Sequence, residues 1–222
     1  AANYRRGRGE TAIGKALEAV FAAGEAKRDE LIICTKAGYL PTPPEAFKEA
    51  YLGHDGIGES DLVGGNHCIH PSYIHDRIAK SLDALGVDKI DVFYVHNPEA
   101  QLAHIERGAF DARLQAAFEA LEQEADAGRI GCYGLATWRA FRSSPGEQGY
   151  ISIAGAKALA KRAAEAKMPL HRVVSSEEGE RLARDHGMFY HESSPLIDAD
   201  PNRNRTKNTV TQVWTINSTV ND

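Results

Sequence analysis

The chain has 222 residues, enough for one large domain or two small ones with a sizeable core. Its 26 Lys and Arg against 31 Asp and Glu give a formal net charge of −5, so no basic surplus points to a nucleic-acid or anionic membrane surface. Hydrophobic residues at 42% and charged residues at 26% match a soluble globular chain and exclude collagen-like, mucin-like and disordered classes.

From about Glu10 to Gly24 the residues Ile13, Leu17, Val20 and Phe21 fall on one helical face, with Gly24 as a stop. The run Glu30-Leu-Ile-Ile-Cys-Thr-Lys36 is short, evenly apolar and β-branched, the pattern of a strand buried on both faces of a parallel sheet. Between Gly38 and Pro71 the chain is dense in Pro, Gly, His and Asp and no period survives, which predicts a long functional or mobile loop. Ser72 then caps a helix carrying Ile74, Ile78, Leu82 and Leu85, Gly86 ends it, and Lys89 to Val95 is a second buried strand. A third helix bears Leu114, Phe118 and Leu121 up to Gly128, Arg129 to Leu135 is a third strand, and Ile151 to Lys167 is an Ala-rich helix. The apolar runs Leu31–Cys34 and Val92–Val95 are far too short to span a membrane, and the N-terminus has no secretory pattern, so a soluble cytoplasmic protein without membrane or nucleic-acid partners is expected. Cys34, Cys68 and Cys132 are odd in number and lack CxxC spacing, and read as reduced thiols. The pattern weakens at the boundary between residues 1–167 and 168–222. Beyond it stand one candidate strand (His171 to Val174), one candidate helix (Ser176 to His186) and β propensity from Val210 to Val220.

Alternating helices and strands specify a parallel sheet, either open and doubly wound or closed as a (β/α) barrel. Each strand runs into a polar residue, Lys36, His96 and Thr137 in turn, at the end where parallel sheets gather ligands. No Gly-x-Gly-x-x-Gly follows a strand, which shifts weight from a dinucleotide Rossmann fold to a barrel, and no Gly-x-Ser-x-Gly elbow supports a hydrolase. His54, Asp55, His67, Cys68, His70 and His75 include zinc's preferred ligand types, but their spacing fits no common site and no metal is expected.

In order, Asn3-Tyr4, the run Arg8 to Leu17, Ile33-Cys-Thr-Lys36, the run Ser81 to His96, and Ala120 to Leu135 ending Gly-Arg-Ile-Gly-Cys-Tyr-Gly-Leu135 resemble the aldo/keto reductases across about Ala1 to Lys167. The Gly64 to Pro71 segment resembles a substrate-side loop of one branch of that family. The resemblance implies a (β/α)8 barrel, NADPH or NADH as cofactor, and hydride transfer to the carbonyl of a small aldehyde or ketone. It implies a Tyr, Lys, His and Asp tetrad in which Tyr4 protonates the carbonyl oxygen, Lys36 is the neighbouring cation and His96 the orienting hydrogen-bond partner. A tyrosine ordinarily titrates near pH 10, so such a role needs a nearby positive charge to stabilise the phenolate. Thr137, beside Ala136 where the family carries Ser-Asn, is the implied contact for the nicotinamide carboxamide. The tetrad Asp would fall upstream of Ala1, and the family's phosphate-binding loops have no counterpart after Met168. A full barrel needs roughly 250 residues. The expected fold is therefore α/β, a partial (β/α)8 TIM barrel of aldo/keto reductase type with an irregular C-terminal segment, as in a fragment, self-associating through exposed barrel edges. The alternative is a catalytically inactive reductase-like subunit or binding module.

Overall fold

The computed structural model describes residues 1–166 and 212–216. Four strands, β1 (Cys34–Ala37), β2 (Ile90–His96), β3 (Ile130–Thr137) and β4 (Gln212–Ile216), form one sheet in that order. The first three are parallel, and they alternate with α1 (Arg8–Ala22), α3 (Pro71–Leu85), α4 (Arg107–Asp126) and α5 (Ile153–Glu165), with α2 (Pro44–Tyr51) between β1 and α3. Three parallel strands with helices between them fit part of a (β/α) barrel. β4 pairs antiparallel with the outer side of β3, and the other expected elements of 168–222 lie outside the described residues. No described helix is long and apolar enough to cross a membrane.

Register assigns the two faces of the parallel strands. Thr35, Phe93 and Tyr133 align across β1, β2 and β3, and strand alternation adds Val95 and Leu135 to their face. That face packs on Ile74, Ile78 and Leu85 of α3 and on Phe110, Leu114, Phe118 and Leu121 of α4 in one buried cluster. Burying each such side chain stabilises the fold by about 1.5–3 kcal/mol. Lys36, Tyr94 and Gly134 align on the opposite face, where His96 also aligns with Ala136. The Ala-rich side of α5 (Ala156, Ala160, Ala163) joins the same core.

Four expected features differ, each for a local reason. In α1 the residues that bury are Glu10 and Gly14, while Ile13 stays 51% exposed. The close approach of α3 sets that face: a Cβ on Gly14 would lie 2.3 Å from the Ala84 carbonyl oxygen, and the Glu10 carboxylate accepts from Thr35 and, at 3.0 Å, from Ser81. β1 begins later than expected because Arg28–Glu30 forms a 3-10 turn, and the Asp91 carboxylate accepts from the Ile33 N–H and the Arg28 guanidinium, each at 2.7 Å. The stretch Gly38 to Pro71 contains α2, and its Phe47, Ile57 and Cys68 form a second small core with Tyr73 of α3. At the start of α3, His70 is the N-cap, its Nδ1 accepting from the Ser72 N–H at 3.3 Å, while the Ser72 hydroxyl donates to the Asp55 carbonyl.

Candidate active site

The C-terminal ends of β1 and β2 and the turn leading into α1 converge. The Ala2 N–H donates to the Lys36 carbonyl at 3.1 Å, which seats the N-terminal turn beside β1. Arg5, Arg6 and Gly7 then hold positive φ values of 53°, 56° and 82°, an unfavourable conformation for the two arginines that closes the turn tightly around Tyr4. Its ring stands 49% exposed, with the Lys36 Nζ 4.8 Å from the ring centroid and the His96 ring edge-on at 6.0 Å. Three of the four residues singled out from sequence thus come together.

His96 is buried at 6% exposure. Burial, then the positive charge of Lys36, pushes its pKa down to about 3, so the imidazole is neutral near neutrality. Its Nδ1 is buried without a hydrogen-bond partner among the described residues. His67 lies against it, its Nε2 2.8 Å from the His96 carbonyl oxygen, and burial lowers its pKa to about 4. Both imidazoles would titrate near 6.5 in the unfolded chain. Between that pH and about 4 the unfolded state takes up protons that the folded state does not, so stability rises with pH across the window and falls as the pH drops. Denaturant titrations should show the loss, up to about 1.4 kcal/mol per pH unit for each histidine. A flat stability from pH 6.5 to 4.5 would contradict this.

Thr137 closes β3 at 2% exposure. Alternation sets it on the helix-facing side with Tyr133 and Leu135, whereas Ala136 lies on the His96 side, so Thr137 is not gathered with the other three. The next residue, Trp138, is 59% exposed and borders a pocket of ≈ 230 Å³ also lined by Tyr39, Asn97, Glu99, Arg139 and Gln148.

Several residues here carry no periodic signal in the sequence. Tyr39 stands edge-on to both His67 (4.9 Å) and His96 (5.1 Å), and its side chain hydrogen-bonds Asn97. Asn97 adopts a left-handed φ of 46°, which Asn tolerates better than most residues, and turns the chain out of β2. The Glu99 carboxylate accepts from the Trp138 N–H at 2.7 Å and so ties the segment after β3 to the segment after β2. Asn97-Pro98 was the one visible cue. Of the histidine and cysteine set, His67 sits at His96, His70 caps α3 and His75 pairs with Glu124. Among the described residues no group of three or more His, Cys, Asp or Glu could hold a metal ion.

The aldo/keto reductase family model matches residues 1–144. A D-threo-aldose 1-dehydrogenase from a Pseudomonas species is similar, 32% identical over 109 residues, which are 49% of this chain and 31% of that protein. Among solved structures, the holo form of an aldo-keto reductase from Bacillus halodurans is similar at 19% identity and a TM-score of 0.41, covering 84% of this chain and 48% of that one. The chain thus spans less than half the length of either.

Proposed function

The chain belongs to the aldo/keto reductase family, and from that premise we propose that it reduces aldehydes or ketones to alcohols with NADPH or NADH. The observation that carries this reading is the convergence of Tyr4, Lys36 and His96 at the strand ends. Tyr4 gives its hydroxyl proton to the carbonyl oxygen. The Lys36 ammonium over its ring favours the phenolate that remains. The neutral His96 imidazole hydrogen-bonds the same oxygen and orients it. The residues fit the nicotinamide end of the cofactor on one observation, the exposed Tyr4 face beside Lys36 and His96. When bound, the cofactor supplies the hydride. Run in reverse, the same residues oxidise an alcohol, and the aldose dehydrogenase relative supports a hydroxylated substrate. The polar pocket of Asn97, Glu99, Arg139 and Gln148 beside Trp138 suits such a ligand. A cytoplasmic setting and self-association through exposed barrel edges, where β1 is an outer strand of the described sheet, belong to the same proposal.

Lys36 makes no ion pair among the described residues, and that observation favours the second reading, a family member without turnover. A titration with NADPH and then NADH, following quenching of tryptophan fluorescence, separates the two. Saturable binding at micromolar concentration is expected. Absence of quenching by either cofactor would favour the inactive relative.

A further inference from the structure

β2 ends at His96, and the chain turns away at Asn97 with a left-handed φ. Because the ring's Nδ1 has no partner among the described residues, that nitrogen does not fix the ring's orientation. What surrounds it does. His67, on the loop between α2 and α3, is 1% exposed. Its Nε2 lies 2.8 Å from the His96 carbonyl oxygen, which can only accept, so Nε2 carries the proton. Its Nδ1 therefore holds a lone pair, and it lies 3.2 Å from the Gln101 side-chain nitrogen, which donates. One neutral tautomer satisfies both contacts, in keeping with complete burial. Tyr39 stands edge-on to both imidazoles and so touches each of them. Backbone bonds hold this loop in place, from the Val63 N–H to the His67 carbonyl and from the Cys68 N–H to the Gly38 carbonyl, each at 2.8 Å.

We propose that His67, backed by Gln101 and Tyr39, is a positioning residue that holds His96 in the orientation it presents to Tyr4. The segment from Gly38 to His70 thereby sets the geometry of the strand-end site. The inference rests on the reading of His96 as the hydrogen-bond partner of the substrate carbonyl.

The test combines kinetics with long-range proton–nitrogen spectra of histidines in the full chain. His67→Phe keeps an aromatic ring edge toward Tyr39 but removes both hydrogen bonds. In it the His96 ring signals should shift and broaden as the ring samples other orientations. In an active enzyme kcat should fall about 10- to 100-fold while the carbonyl KM and cofactor affinity stay within about threefold. His67→Gln, which keeps a donor for the His96 carbonyl, should recover most of both. Gln101→Leu should perturb the same signals less, and it decides the question if His67→Phe does not fold. Unchanged His96 signals in a folded variant, or an unchanged kcat in an active enzyme, would overturn the proposal. If the unaltered chain shows no turnover, the reductase reading fails by itself, and the His96 spectra still decide whether His67 positions that ring.

Discussion

Tyr4→Phe is expected to lower kcat for carbonyl reduction by about 10²- to 10⁴-fold, the range that a positioned general acid contributes. The substitution removes only the hydroxyl. The ring under the Lys36 ammonium and the edge contact with His96 are kept, so cofactor affinity by tryptophan quenching should stay within about twofold. The split matters because Tyr4 stands on a turn with three consecutive positive φ values, and a less conservative change there could unseat the turn as well as the acid. His96 does not compete for the role. Burial beside Lys36 keeps its imidazole neutral far below neutral pH, so it has no excess proton to give. Steady-state kinetics with a small aldehyde check the expectation, and an unchanged kcat in the variant would remove Tyr4 from the chemistry.

The sequence made some of this legible and hid the rest for physical reasons. β2 and β3 read directly because they are buried on both faces, and a continuous apolar run survives no other reading at that length. The strand ends Lys36 and His96 were visible as polar residues closing apolar runs. The buried face of α1 was not, since Gly14 and Glu10 bury there through a close helix crossing and two hydroxyl donors, neither of which leaves an apolar stripe. Nor was α2, which is short and owes its place to Phe47 docking under Tyr73 from another helix. His67 could be seen only as one of many histidines in a Gly-rich stretch. Its meaning comes from a contact with His96 across the strand ends, and no local period reports such a contact.

Gly38→Ala is expected to destabilise the fold by about 2–4 kcal/mol and to lower kcat with it, because that glycine joins the loop to the site. A Cβ at Gly38 would lie 2.7 Å from the His96 carbonyl oxygen and 2.8 Å from the His67 Nε2, the two atoms of the bond that spans the strand ends. Neither has room to give. The carbonyl belongs to the last residue of β2, and the imidazole is fixed on its other nitrogen by Gln101. The φ of +156° adds strain for any side chain, independent of the contacts. Gly24→Ala separates the two causes. Gly24 has a φ of +69° with no atom within 4 Å of the added Cβ, so it should cost only about 1 kcal/mol, from conformation alone. With a urea m-value of about 2 kcal/mol/M, the difference would appear as a midpoint roughly 0.5–1.5 M lower for Gly38→Ala than for Gly24→Ala. Equal midpoints would mean that the His67–His96 contact yields easily, and the approach of Gly38 would then have no hold on the position of His96.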